Sequence, residues 1–146
     1  LDETSATLDL GIQLVTAAGM VLLMTMVHSV GLVAISRMLR LEKDRLLDHN
    51  FNARAIGLLG SFGLLLFGLH IAEICIFAAF YFAVGAIPTV EAALYYSATA
   101  YATLGWPAES FPSDWRLIGA LEALIGFLLI GWSTAFMVST MKRLTD

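Results

Sequence analysis

Long uncharged stretches set the pattern of this chain. Leu10 to Ser36 runs for 27 residues without a formal charge. Ala55 to Pro88 is broken only by His70 and Glu73, and Leu117 to Met141 only by Glu122. Each exceeds the ~20 residues that a helix rising about 1.5 Å per residue needs to cross a ~30 Å hydrocarbon core. A lone extended segment would leave its backbone groups unpaired in lipid, so the pattern predicts three transmembrane helices.

Between the second and third spans the pattern changes. Pro88 stops a helix, and Thr89 can cap a new one with Glu91 in its first turn. The uncharged run Ala92 to Ala102 has 11 residues, too few to cross. Thr103 to Pro112 contains Gly105, Pro107 and Pro112 and is expected to be irregular. A short helix followed by irregular backbone, with both ends on one side, reads as a re-entrant loop. Such backbone survives at membrane depth only where protein or water surrounds it. One chain supplies one loop, so a water-filled path needs several chains around an axis.

Composition agrees with a membrane class. Hydrophobic residues make up 59% and charged residues 14% of the 146 residues, against roughly 25% charge in soluble domains. The net charge is −4, and no basic run suits nucleic acid. The single cysteine, Cys75, supports neither a disulfide framework nor a cysteine metal cluster. Basic residues also set the orientation. Arg37, Arg40, Lys43, Arg45 and Arg54 lie between the first and second spans, and Lys142 and Arg143 follow the third. The N-terminus is therefore expected outside and the C-terminus in the cytoplasm, in a cell or bacterial inner membrane. Charges alternating with Leu41, Leu46 and Leu47 fit either a short interfacial amphipathic helix or a solvated connector. The chain opens on Leu1, so further sequence upstream is expected.

The run Ala93-Leu94-Tyr95-Tyr96-Ser97-Ala98-Thr99-Ala100-Tyr101-Ala102-Thr103-Leu104-Gly105-Trp106 resembles the pore helix and filter of tetrameric potassium channels. In that family paired aromatics and Ser precede Thr-Val-Gly-Tyr-Gly-Asp. Trp115-Arg116 resembles the start of the family's inner helix, and Gly126 and Gly131 fall where inner-helix glycines sit in many members. The segment Trp115 to Gly126, then Gly131 to Phe136, is most similar to a bacterial ion-channel subgroup, as are His70 and Glu73 on the outer helix. The likeness covers about Gly68 to Lys142. It implies an all-α membrane protein with three transmembrane helices, a re-entrant pore helix and a filter loop, assembling as a four-fold oligomer. Residues 1–55 would form the extra helix and cytoplasmic linker, and residues 56–146 the pore domain.

The filter departs from the family at Leu104, Trp106, Pro107 and Ala108. A potassium filter replaces the ion's hydration shell with rings of backbone carbonyls. Those carbonyls face one axis only if the backbone alternates between right- and left-handed conformations, and glycine tolerates the latter at little cost. Gly105 supplies one such position. Pro107, in place of the second Gly, fixes φ near −65° and biases Trp106 toward extended geometry. Inner rings from the Thr103 hydroxyl and the Thr103 and Leu104 carbonyls are expected to persist, while outer rings from Gly105 and Trp106 splay. A ring of Glu109 carboxylates at the outer mouth would attract cations and hold a divalent ion such as Ca²⁺ or Mg²⁺. Its plainer reading is an exposed loop acid.

Ionisable groups inside a span are costly and face protein or water. His70 and Glu73, three apart, share a helix face, and are expected to brace the pore loop. A metal centre would need His28 or Glu122 to join them, since spacing fixes only two ligands, so no metal is assigned. Glu122 is expected against a neighbouring helix or the back of the pore helix, with a cavity-lining ring as the alternative. His28 reads as a packed, neutral, hydrogen-bonded group. Ser133 and Thr134 are candidates to line a wet cavity. Gly126 and Gly131 permit either close helix approach or a gating bend.

The expected function is a pore-loop cation channel, similar to potassium channels but with selectivity weakened or altered by Pro107. The alternative is a non-conducting channel-fold subunit that assembles or stabilises a larger complex of further membrane subunits. An enzyme is not expected, because no nucleophile–base pair is present. The expected partners are three more copies of the chain and membrane lipids, with no cofactor beyond a permeating cation such as K⁺.

Overall fold

Four α-helices build the chain in a computed structural model that describes residues 3–46, 51–105 and 113–145. They are α1 (Glu3–Leu46), α2 (Phe51–Ala83), α3 (Val90–Tyr101) and α4 (Arg116–Thr145), with the 3₁₀ turn Ser113–Trp115 leading into α4. No strand occurs among the described residues. Three helical stretches are long and apolar enough to cross a membrane: Leu10–Leu39, Leu59–Ala83 and Arg116–Lys142. Fewer than a third of the residues in the most apolar part of each are buried. The outward faces carry Leu22, Val30, Phe67 and Phe127, all exposed. Lipid or further protein must cover them, and the chain is a membrane protein.

The first helix is longer than the first span. Its 44 residues measure about 66 Å at 1.5 Å each. The segment after Arg37 therefore continues α1 through Leu46 instead of forming a separate interfacial helix.

Two helices end in the same way, for different reasons. At the end of α2, Gly85 adopts φ +70°. The Ala86 N–H donates to the Tyr81 carbonyl at 2.9 Å and the Gly85 N–H to that of Phe82 at 3.1 Å. This pair of bonds is the Schellman pattern, which satisfies carbonyls a helix end leaves open. At the end of α3, the Leu104 N–H donates to the Thr99 carbonyl at 2.9 Å and the Thr103 N–H to that of Ala100 at 2.9 Å. Here the left-handed position falls on Thr103, with φ +60°. A β-branched residue is an outlier in that region. The front of α3 is capped by Thr89, whose side chain accepts from the Ala92 N–H at 3.2 Å.

The short helix α3 packs between α2 and α4, and α1 lies against both long helices. Ser97 and Tyr101 of α3 meet residues 73 and 74 of α2, while Tyr96 and Tyr101 abut Gly119 and Gly126 of α4. The helix therefore runs back along α2 and parallel to α4. Glu73 lies ten residues, about 15 Å, before the end of α2, so the tip of α3 stops near mid-bundle.

Two apolar clusters hold the bundle. One contains Met20, Met24, Phe77, Tyr81, Tyr96, Ile118 and Leu129. The other contains Leu32, Ile35, Phe62 and Leu66, with Phe136 packed on it. Between them lies a polar layer around His28, Glu73 and Ser133, all buried.

Candidate functional site

Two carboxylates sit in spans where lipid offers no hydrogen bonds, so each must find donors within the protein. The structure answers both needs from α3. Ser97 and Tyr101, four apart, lie on one helix face. Each meets one carboxylate.

Glu122 of α4 is fully buried. The Tyr81 hydroxyl donates to its Oε2 at 2.6 Å. The Ser97 hydroxyl lies 2.5 Å from Oε1 and 2.9 Å from the Ile74 carbonyl, so its one proton is shared between two acceptors. This centre ties α2, α3 and α4 together behind the pore-helix candidate. Glu122 thus faces the back of α3 and is not exposed to a cavity within the chain.

Glu73 of α2 is also fully buried. Its Oε1 accepts from His28 Nδ1 at 2.8 Å. Its Oε2 accepts from the Tyr101 hydroxyl at 2.5 Å. His70 Nδ1 lies 2.8 Å from the Tyr101 oxygen and 3.2 Å from Oε2, so its N–H is shared between them. On the far side of His28, the Ser133 hydroxyl lies 3.3 Å from Nε2 and donates to it. Carboxylate acceptors fix the Nδ1–H tautomer of both imidazoles, which leaves Nε2 of His28 as an acceptor. No buried side-chain polar atom among the described residues is left without a partner. His28, expected as a packed, hydrogen-bonded group, is buried and finds its partner in Glu73. Ser133, expected beside a wet cavity, is 4% exposed and turned to His28. Thr134 returns its hydroxyl to the Ile130 carbonyl at 2.9 Å.

Beyond Tyr101 the backbone enters the filter candidate. Thr103 and Gly105 have φ +60° and +78°, and Leu104 between them is not in the positive range. The hand of the backbone therefore alternates over these three residues. All three are exposed in the single chain, Leu104 by 78%. Trp106, Pro107 and Glu109 lie outside the described residues.

The two inner-helix glycines differ. A Cβ on Gly126 would stand 2.5 Å from the Tyr101 carbonyl oxygen and 3.0 Å from its Cα. Gly126 is thus where α4 admits the tip of α3. Nothing lies within 4 Å of a Cβ on Gly131. Gly119 makes room for the Tyr96 hydroxyl, and Gly31 for Leu69.

Sequence reasoning alone missed Tyr101, Ser97 and Tyr81, and brought His28 to Glu73 only as a candidate metal ligand. Their partners lie 25 to 45 residues away, beyond any local spacing rule. One signal was available: two buried carboxylates flank a short helix that offers two hydroxyls at four-residue spacing.

Neither a curated protein nor a solved structure matches the chain. A family model described as "Ion channel" matches residues 69–143, which takes in His70, Glu73, the whole of α3, the alternating backbone and nearly all of α4. With just over half its length inside that match, the chain belongs to this ion channel family.

Proposed function

We propose that the chain is the subunit of a homotetrameric pore-loop cation channel. In this reading α3 is the pore helix, residues 103–107 form the filter, α2 is the outer helix and α4 the inner one. Residues 56–146 are then the pore domain, and residues 1–55 add a helix on its flank. The observation that carries the reading is the tip of α3, held near mid-bundle and followed by alternating backbone at Thr103 and Gly105.

Alternation turns successive carbonyls toward one side, which is what a ring of dehydrating ligands needs. The exposed Leu104 calls for cover that the single chain does not supply, and neighbouring copies around an axis would supply it. Glu122 and Glu73 brace the back and the tip of the pore helix, with His70 held in the second brace. Proline at 107 closes the second left-handed position and lacks a backbone donor, so K⁺ is weakly preferred over Na⁺. The Glu109 ring gathers cations at the mouth, and divalent ions compete there. Basic residues after the first and third spans put the N-terminus outside a cell or bacterial inner membrane.

The test is cation flux into liposomes holding the purified chain, with oligomer mass measured on the same sample. Potassium and sodium flux from a four-chain assembly is expected, with a permeability ratio near unity. An intact four-chain assembly that passes neither ion would replace the channel with a non-conducting subunit of the same fold. A monomer would end both.

A further inference from the structure

From the cluster around Glu73 we infer a binding site for one divalent transition ion of the zinc class, held by His28, His70 and Glu73. One ligand atom from each of the three lies within 4.8 Å of the others. Two edges are already short: His28 Nδ1 to Glu73 Oε1 at 2.8 Å and His70 Nδ1 to Oε2 at 3.2 Å. Ligands about 2.0–2.2 Å from zinc in a tetrahedron stand roughly 3.4 Å apart, so the donors need only small shifts to receive the ion. The Tyr101 hydroxyl, 2.8 Å from His70 Nδ1 and 2.5 Å from Oε2, is placed to be the fourth donor or to hold the carboxylate.

The donor set selects the ion. Two imidazoles with one carboxylate suit zinc, cobalt, nickel and copper, whereas calcium and magnesium prefer oxygen alone. A metal-bound imidazole orients itself through its other nitrogen. His28 has that partner in Ser133, 3.3 Å from Nε2. Binding needs no redox step and no net loss of protons. Each imidazole moves its proton from Nδ1 to Nε2, the ion takes the Nδ1 lone pairs and a carboxylate oxygen, and Ser133 changes from donor to acceptor. The hydrogen-bonded network described above is the metal-free state.

The three ligands come from α1 and α2, and Tyr101 from the tip of α3. The ion therefore staples the first helix to the pore-helix tip at mid-bundle. His28 and Glu73 are fully buried, while the His70 side chain is 16% exposed and gives the route of approach. Nothing in this site depends on whether ions cross the pore, so its test is separate from the flux measurement.

The full chain, purified in detergent and stripped with a chelator, is titrated with Zn²⁺ for stoichiometry and with Co²⁺ for its visible ligand-field bands. One ion per chain is expected, with tetrahedral-type Co²⁺ bands and a raised thermal midpoint. His28→Ala and Glu73→Gln should abolish saturable binding. Ser133→Ala, which leaves the three ligands in place, should weaken it about 10–100-fold. Cys75→Ser must leave stoichiometry and spectrum unchanged, because that exposed thiol is a rival soft ligand. Binding well below one per chain in the unsubstituted protein would overturn the site. So would a Co²⁺ spectrum that survives loss of His28, or one that disappears with Cys75.

Discussion

The Tyr101 carbonyl oxygen lies 2.5 Å from the point where a side chain on Gly126 would begin. The last turn of α3 thus rests directly on the backbone of α4, and no flexible side chain intervenes to give way. Gly126→Ala must displace the tip of α3 or the helix beneath it. Overpacking of this kind costs about 1–3 kcal/mol, partly offset by the ~0.5–1 kcal/mol that alanine gains over glycine within a helix. The expected result is a lowered thermal midpoint and faster hydrogen exchange across residues 90–101. Gly131→Ala, with nothing within 4 Å, should leave the exchange of residues 90–101 unchanged and raise the midpoint slightly, since only the ~0.5–1 kcal/mol helix gain remains. If the two variants behave alike, Gly126 is not the seat of α3.

Thr103 occupies the position that glycine takes in the matching turn at Gly85. A side chain in the left-handed region costs roughly 1–2 kcal/mol, and such strain gathers where function demands it. Thr103→Gly relieves that strain and accepts glycine's greater entropy loss of about 0.5–1 kcal/mol. A small net gain in stability is expected, up to about 1.5 kcal/mol. Cation flux should fall at the same time, because the hydroxyl ring is lost. A variant both less stable and equally conductive would remove Thr103 from the filter.

The elements were legible because their causes are local. Uncharged runs gave the spans, and Pro88 and Thr89 the start of α3. The site was legible only in part. His70 and Glu73 share a face by spacing, yet their partners Tyr101 and His28 come from other helices, and nothing in residues 70 to 73 encodes that meeting. Helix length was misjudged after Arg37 for another reason: alternating charges fit a short interfacial helix as well as the tail of a long one. Gly126 and Gly131 look alike in sequence, and only the approach of Tyr101 separates them.

Ser97 and Tyr81 donate to opposite oxygens of Glu122, so their contributions should be coupled. Removing a partner from a buried polar group costs about 1–3 kcal/mol. Ser97→Ala and Tyr81→Phe should each lower the unfolding free energy by that amount, and residues sharing one network typically show 0.5–3 kcal/mol of coupling, as an order of magnitude. Thermal or denaturant unfolding of the two single variants and the double variant measures it. Strict additivity would mean that Glu122 does not hold both hydroxyls at once. It would also loosen the claim that this carboxylate fixes the back of α3.

Pro107 offers the most direct test of ion selection. The backbone before it alternates in hand through Gly105, and a proline ring two residues later cannot extend that alternation. Pro107→Gly reopens the left-handed region and restores the missing N–H, which allows the carbonyls of Gly105 and Trp106 to turn inward. The ratio of K⁺ to Na⁺ permeability in liposomes should rise several-fold, with the oligomer unchanged. An unaltered ratio alongside robust flux would place selection outside residues 103–107. If the substitution opens a pore that was silent before, Pro107 closes the path in the natural chain, and the native protein is better described as a channel fold held shut.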